Sequence, residues 1–163
     1  MQLIKNGVRN KYLIIVKFFI IIIADIGFQG SDPLKDFRGS GLLGLRHLWY
    51  FSLYDKRADE VYNVASGEKT WYYYAAAGIN ISGKVIQFIE ERDCDNYFYE
   101  NLQEINLYNF TQNLYNEFFV GFNRYWIEKQ YNSIMMVNSS LEEFMEKRAK
   151  FIFQRLITMK KVF

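Results

Sequence analysis

Proline and cysteine are almost absent from this chain of 163 residues, which contains one of each, Pro33 and Cys94. A single cysteine cannot form an intrachain disulfide or supply a set of thiolate zinc ligands. The only histidine, His47, has no partner at metal-binding spacing, so we predict no metal site and expect His47 to be a packing or surface residue. This cysteine usage favours a cytoplasmic protein, with peripheral association with membranes as an alternative.

Neither sign of charge predominates, because 20 basic and 18 acidic side chains leave a formal net charge of +2. This balance argues against a nucleic-acid-binding protein and against a strongly acidic partner. Half of the residues are apolar and 19% are aromatic, which excludes intrinsic disorder. The length suits one domain with a substantial core.

One long apolar run, residues 12–28, contains the charged residues Lys17 and Asp25. A membrane-spanning helix needs about 20 apolar residues with few charges, and a signal peptide ends at a small-residue cleavage site. We therefore expect a buried first helix or strand, with a membrane anchor or signal peptide as alternatives.

Through most of the chain, apolar residues recur at steps of three and four, which predicts an all-α fold. We expect a single compact multi-helix domain. Leu42, Leu45 and Trp49 are predicted to form one face of a helix that begins at Ser40 or Gly41. A short helix is expected over residues 55–64, followed by a loop at residues 66–69.

Three further helical segments follow. Residues 71–77 are predicted to be a tightly buried helix, whose apolar face continues to Ile89. Residues 110–126 carry large apolar side chains at strict four-residue steps, which is typical of an amphipathic helix. The last helix is predicted to begin with a capping box, formed by Ser139 with Glu142 or by Ser140 with Glu143.

Two segments match nucleotide-binding patterns, but each lacks the context that such a site needs. Residues 39–44 follow the Gly-x-Gly-x-x-Gly pattern without a preceding strand, so we interpret these glycines as a tight turn and a close helix contact. Residues 78–84 resemble a phosphate-binding loop, but Val85 stands where a hydroxyl must bind magnesium. We predict no nucleotide site in this chain.

The stretch Gly27–Phe51 closely resembles the signature of the ELMO domain family. The matching residues are Gly27, Phe28, Gln29, Asp32, Pro33, Asp36, Phe37, Arg38, Gly39, Gly41, Leu43, Gly44, Leu45, Leu48, Tyr50 and Phe51. Residues 73–82 and 118–128 also resemble segments of the family, so the resemblance runs from about Gly27 to the C-terminus.

This resemblance implies a function. Family members that carry little beyond this domain are GTPase-activating proteins for Arf-family and Arf-like small GTPases, and the arginine that matches Arg38 is their proposed catalytic group. Asp32, Asp36, Gly39 and Gly41 are the expected partner-binding residues around it. Such a protein is an enzyme activator with no independent catalytic activity and no cofactor of its own, since GTP and magnesium belong to the partner GTPase.

The residue type of Arg38 suits this role, because a planar guanidinium can contact two phosphate oxygens at once. The alternative is a structural role in which Asp36 or another carboxylate pairs with Arg38 and holds the loop. A second functional hypothesis is a non-catalytic scaffold, since larger members of the family act with a Rac exchange factor that regulates the cytoskeleton and engulfment. A third is a truncated, inactive gene product.

The resemblance weakens at Ile23 and Ala24, where the family usually has a Trp-Glu pair. We therefore assign residues 1–24 to an apolar N-terminal extension of doubtful authenticity, a faulty gene model being one explanation, and residues 25–163 to an ELMO-like helical domain.

Deletion of residues 1–23 tests this division. If they are an artefact or a loosely attached extension, the shortened protein is expected to stay soluble and to keep its helical circular dichroism spectrum. Insolubility or unfolding of the shortened protein would show instead that these residues complete the core.

Overall fold

The computed structural model describes residues 40–91, 95–97 and 106–160, and no strand occurs among them. Five α-helices have both ends within these ranges: α1 Gly41–Tyr54, α2 Ala58–Ala65, α3 Tyr74–Glu90, α4 Leu107–Glu128 and α5 Val137–Lys160. A 3-10 turn at Ile134–Met136 precedes α5. The predicted all-α multi-helix fold is confirmed, whereas the proposed N-terminal extension, residues 1–24, lies outside the described residues.

Helix α4 is at the centre of the core and packs against α1, α2, α3 and α5. The stripe that the sequence predicts is buried, with exposures of 3% or less for Phe110, Leu114, Phe118, Phe122 and Trp126. A second face of α4 carries Tyr115 and Phe119, both fully buried, which face α1 and α3. Because α4 buries two faces, helices pack against it on both sides.

Helix α3 begins at Tyr74, so the prediction of a helix from residue 71 was wrong by three residues. The connection before it is held by side-chain hydrogen bonds rather than by a helical ladder. Tyr72 Oη donates to Asn123 Oδ1 over 2.8 Å, and Trp126 Nε1 donates to the Thr70 carbonyl over 2.8 Å. These bonds fix the loop from residue 66 to residue 73 against α4.

An ion-pair network holds the turn between α1 and α2. The guanidinium of Arg57 lies 2.7 Å from Asp55 Oδ2 and 2.7 Å from Glu117 Oε1 on α4. Asp55 Oδ1 also accepts a hydrogen bond from the backbone N–H of Arg57 over 2.9 Å. One arginine thus ties this turn to the central helix.

The predicted capping box at the start of α5 is wrong. The 3-10 turn runs directly into α5 at Val137, so Ser139 and Ser140 already lie inside the helix. Their hydroxyls donate backwards to carbonyl oxygens of Met136 and Val137 rather than accepting from backbone N–H groups ahead of them. The buried face beyond them includes Leu141, as predicted.

Helix α1 begins at Gly41, as predicted, but it buries a different face from the one that its apolar residues suggested. The buried residues are Gly44, His47, Leu48 and Phe51. Leu42 and Trp49 instead remain 77% and 42% exposed. At 100° per residue, a surface row of Leu42, Arg46, Trp49 and Leu53 runs along the opposite side of the helix. We call this row the outer stripe.

Glycines explain how α1 can pack this buried face closely against α3. A Cβ on Gly44 would lie 3.2 Å from Ile79 Cγ2, and a Cβ on Gly78 would lie 2.8 Å from Leu48 Cδ1 and 2.8 Å from Tyr115 Oη. The missing side chains let α1 and α3 approach closely. The two helices are antiparallel, since Ser40 meets Ile79 at one end and Ser52 meets Tyr74 at the other.

Within the part of the chain that the structure describes, no helix is both long enough and apolar enough to cross a membrane.

The close approach of α1 and α3 predicts that Gly78→Ala destabilises the protein, although alanine favours a helix over glycine by about 1 kcal/mol. The added Cβ meets Leu48, Tyr115 and Phe119 in a packed interior, and overpacking costs about 1–3 kcal/mol. Urea unfolding measures the change. Gly83→Ala, in the same helix, is the comparison and is expected to cost less, because its Cβ has one close neighbour, Ser40 Oγ at 3.0 Å. A Gly78→Ala protein more stable than the parent would contradict the packing argument.

Candidate functional site

Arg38, the predicted catalytic residue, lies outside the described residues, as do Asp32, Asp36 and Gly39. Of the predicted site residues, Gly41 alone is described. The structure therefore shows the base of the arginine segment, which is formed by Ser40, the start of α1 and the part of α3 that they contact.

Ser40 fixes the chain two residues after Arg38. Its side chain is 9% exposed, and its hydroxyl donates to the carbonyl oxygen of Ile79 on α3 over 3.2 Å. A Cβ on Gly83 would lie 3.0 Å from Ser40 Oγ, so glycine at position 83 leaves room for this hydroxyl. The hydroxyl makes no capping bond to α1 itself. Ser40 thus attaches the start of α1 to α3.

Gly41, predicted from the family resemblance to bind the partner, has a backbone role in the structure. Its φ of 52° is in the left-handed region, where glycine carries no Cβ penalty. Nothing lies within 4 Å of a Cβ built on Gly41, so its conformation, rather than lack of space, favours glycine. Together with the close contact of Gly44 and Ile79, this agrees with the interpretation of Gly41 and Gly44 as a turn and a helix contact, whereas Gly39 lies outside the described residues.

His47 makes the next polar contact between the two helices. Its Nδ1 lies 2.7 Å from Ser82 Oγ, and both residues are fully buried. The ring also packs 4.9 Å from the ring of Tyr115 on α4, and the His47 carbonyl accepts a hydrogen bond from Gln112 Nε2 over 3.1 Å. This confirms the expected packing role.

Burial and, to a smaller extent, the charge of neighbouring Arg46 together lower the pKa of His47 to about 4. The imidazole is therefore neutral at pH 7. Its Nε2 is buried and has no hydrogen-bond partner among the described residues. Protonation would place a charge between α1, α3 and α4, where none of these residues accepts a hydrogen bond from that nitrogen.

A groove of about 430 Å³ lies between α3 and α5, and Ser40 forms part of its wall. Two contacts cross between the helices. Asn80 Nδ2 donates to Asn138 Oδ1 over 3.0 Å, and Lys84 Nζ lies 2.5 Å from Glu142 Oε1. The basic group nearest to Ser40 along this groove is thus already paired.

A cluster of aromatic side chains lies on the outer side of α1. Arg46 is exposed, and its guanidinium carbon lies 3.8 Å from the centre of the Tyr108 ring. The Trp49 and Tyr54 rings meet edge to face at 6.4 Å, and the Tyr50 and Tyr54 rings lie 4.6 Å apart. The sequence analysis missed Arg46, although its spacing of four and three residues from Leu42 and Trp49 places it in the same row.

The segment that resembles a phosphate-binding loop, residues 78–84, lies inside α3. Its backbone N–H groups belong to a helix interior, and Gly78 lies against Leu48 and Tyr115. A phosphate cradle needs a loop whose N–H groups converge on the anion, and this segment does not form one.

The low pKa of His47 predicts a loss of stability on acidification. Because its pKa is about 4 in the folded protein and 6.5 in the unfolded chain, the unfolded state binds more protons between these values. The contribution of the neutral imidazole to the free energy of unfolding is fully present above about pH 6.5 and declines as the pH falls. At pH 5 the free energy of unfolding is lower by about 2 kcal/mol than at neutral pH from this cause. Urea unfolding at several pH values measures it.

His47→Gln removes the titrating group and keeps an amide that can reach Ser82. The parent is expected to lose more unfolding free energy than this variant as the pH falls from 7 to 4.5. The carboxylates are common to both proteins, so their titration cancels in the difference. Parallel pH profiles for the two proteins would contradict a buried neutral imidazole.

Sequence comparisons place this arrangement among known proteins. The sequence model of the ELMO/CED-12 family matches residues 24–141, well over half of the chain. ELMO domain-containing protein B of Dictyostelium discoideum is 38% identical over 120 residues, which cover 73% of this chain and 41% of that protein. ELMO domain-containing protein 2 of Bos taurus is 35% identical over 125 residues, or 76% of this chain and 43% of that protein.

ELMO domain-containing protein 1 of Homo sapiens is 30% identical over 152 residues, which cover 77% of this chain and 46% of that protein. The chain thus spans less than half the length of the curated relatives it matches. No solved structure matches it. With the family model matching most of its length, the chain belongs to the ELMO/CED-12 family.

Proposed function

We propose that this domain is a GTPase-activating protein for an Arf-family or Arf-like small GTPase, to which it supplies Arg38 in trans. The observation that carries the proposal is the attachment of Ser40 to α3 through the Ile79 carbonyl, because Arg38 stands only two residues before Ser40 in the sequence. Membership of the ELMO/CED-12 family supports it, because the residues around Arg38 match the signature of that family.

Small GTPases hydrolyse GTP slowly because negative charge that develops on the transferring phosphoryl group is poorly compensated. A guanidinium inserted by a partner protein provides this compensation and accelerates hydrolysis by about three to five orders of magnitude. Water attacks the γ-phosphorus, and GDP and phosphate leave. GTP, magnesium and the attacking water all belong to the GTPase site, so the domain needs no cofactor of its own.

An inserted arginine needs a rigid base, since a loosely held side chain would lose the entropic advantage of correct placement. The base of the arginine segment has three fixed features. The Ser40 hydroxyl is bonded to Ile79, Gly41 sets the direction of the chain, and Gly44 packs against α3. These features support the catalytic role of Arg38.

Replacement of Arg38 tests the role directly. Arg38→Lys keeps the positive charge but loses the planar fork, so we expect the maximal stimulated rate of single-turnover GTP hydrolysis to fall by about two orders of magnitude or more. Affinity for the GTPase loaded with a non-hydrolysable GTP analogue should change much less, because the contact strengthens in the transition state. The melting temperature should stay close to that of the parent.

Arg124→Lys is the matched control, because Arg124 is exposed on α4 and forms no ion pair with any residue that the structure describes. An Arg38→Ala protein that stimulates hydrolysis as well as the parent would rule out the catalytic role. A structural role would instead lower the melting temperature and reduce binding and rate together. A non-catalytic scaffold would bind its partner without any stimulation by the parent protein.

A further inference from the structure

The outer stripe of α1 exposes three large apolar side chains. Leu42, Trp49 and Leu53 are 77%, 42% and 58% exposed, although each could have been a polar residue at no cost to the buried face. Arg46 lies in the middle of the row and forms no ion pair with any residue in the described ranges. Contiguous apolar surface around an unpaired arginine is typical of an interaction site.

The sequence joins Arg38 to Leu42, the first residue of this stripe, through three residues. Two residues span at most about 7 Å between Cα atoms, which limits how far Arg38 can reach from Ser40. The stripe begins at Leu42, in the first turn of α1, and extends about 17 Å along the helix to Leu53. A protein bound by Arg38 must therefore lie next to the start of this stripe.

One arginine segment cannot provide a complete interface, since a specific complex buries about 800 Å² on each partner. The contact must extend from Arg38 over neighbouring surface. Two surfaces of the described part of the chain adjoin Ser40: the groove between α3 and α5, and the outer stripe. The groove is crossed by the Asn80–Asn138 and Lys84–Glu142 contacts, which a partner would have to break. Among the described residues, the outer stripe is crossed by no hydrogen bond or ion pair, and its contact with α4 is that of Arg46 with the Tyr108 ring.

We propose that the outer stripe is the docking surface for the GTP-loaded small GTPase on which Arg38 acts. Trp49, with Leu42 and Leu53, contacts an apolar area of the GTPase, and Arg46 pairs with a carboxylate at the edge of that area. This inference rests on the proposed function and names the surface that holds the partner while Arg38 reaches its phosphates.

The side chains of this surface are held in place before any partner binds. The Arg46 guanidinium lies over the Tyr108 ring, and Trp49 and Tyr54 are in edge-to-face contact. Such contacts reduce the conformational entropy that binding would otherwise remove. Tryptophan, tyrosine and arginine are also the residues that contribute most often to binding energy at protein interfaces. A membrane surface fits less well, because anionic lipids are recognised by clusters of basic residues and the stripe has a single basic residue, Arg46.

The test measures binding and turnover separately. A panel of purified Arf-family and Arf-like GTPases is loaded with a non-hydrolysable GTP analogue for Kd measurements, and with GTP for single-turnover hydrolysis. Trp49→Ala and Arg46→Glu are each expected to raise Kd by about 10-fold or more, while the rate at saturating domain stays near that of the parent. Arg38→Ala is expected to show the reverse pattern.

Matched controls lie elsewhere on the surface. Trp71 is 43% exposed, almost as much as Trp49, and lies in the loop before α3 rather than on α1. Arg124 is an exposed arginine on α4. Trp71→Ala and Arg124→Glu should leave Kd unchanged. Circular dichroism and melting temperatures of all five variants verify that each is folded.

The outcomes separate the two proposals. Weaker binding by Trp49→Ala and Arg46→Glu without any stimulation by the parent protein would support the docking surface and overturn the activating role. Stimulation by the parent with unchanged Kd for both variants would overturn the docking surface alone. The docking surface would also be overturned if no GTPase of the panel binds the parent protein. It would be overturned as well if Trp49→Ala leaves GTPase binding intact and abolishes either self-association, measured by sedimentation, or binding to phosphatidylserine vesicles.

Discussion

The close contact between α1 and α3 fixes the start of α1, and Arg38 stands three residues before that helix in the sequence. This contact depends on the absence of side chains at Gly44 and Gly78, where a Cβ would meet atoms of the facing helix at 3.2 and 2.8 Å. Because the helices pack closely, three polar contacts form between them. They join Ser40 to Ile79, His47 to Ser82, and Ser52 to Tyr74. Each of these contacts is short because the backbones are near. The start of α1 is thereby set by packing in the core.

The same contact separates α1 into two unlike faces. The inner face combines a glycine, a neutral histidine and two large apolar residues, and burial is possible there because α3 and α4 satisfy or enclose each group. The outer stripe carries three more large apolar residues and one charge, that of Arg46. Apolar residues on a helix usually face the core, whereas Leu42, Trp49 and Leu53 are 77%, 42% and 58% exposed. The proposed docking of a partner would account for this exposure.

Much of the fold could be predicted from the sequence where periodicity alone determines the structure. The stripe from Phe110 to Trp126 is buried as expected, because large side chains at four-residue steps fit only a helix with an enclosed face. The start of α5 could not be predicted, since a 3-10 turn before Val137 moves the helix start ahead of the serines that resemble a cap. The buried face of α1 depends on Gly44 in that helix and on Gly78 in α3, and no local pattern shows that each lies against the facing helix.

The candidate site was predictable only in part, for a related reason. Family resemblance identified Arg38 and its neighbours, and spacing identified the glycines as turn residues. The Ser40–Ile79 and His47–Ser82 contacts join residues 39 and 35 positions apart in the chain. Contacts at such separation follow from tertiary packing and have no signal in a single sequence. The Arg46–Tyr108 contact, between α1 and α4, belongs to the same class.

The use of the Ser40 hydroxyl has a consequence for the dynamics of the domain. A serine at a helix start usually bonds the first N–H groups of its own helix, and such a cap limits fraying locally. Ser40 bonds to α3 instead, so the first turn of α1 has no side-chain cap and its order depends on α3. Amide hydrogens in that turn should therefore exchange through separation of the two helices, as one cooperative unit, rather than by fraying of the end.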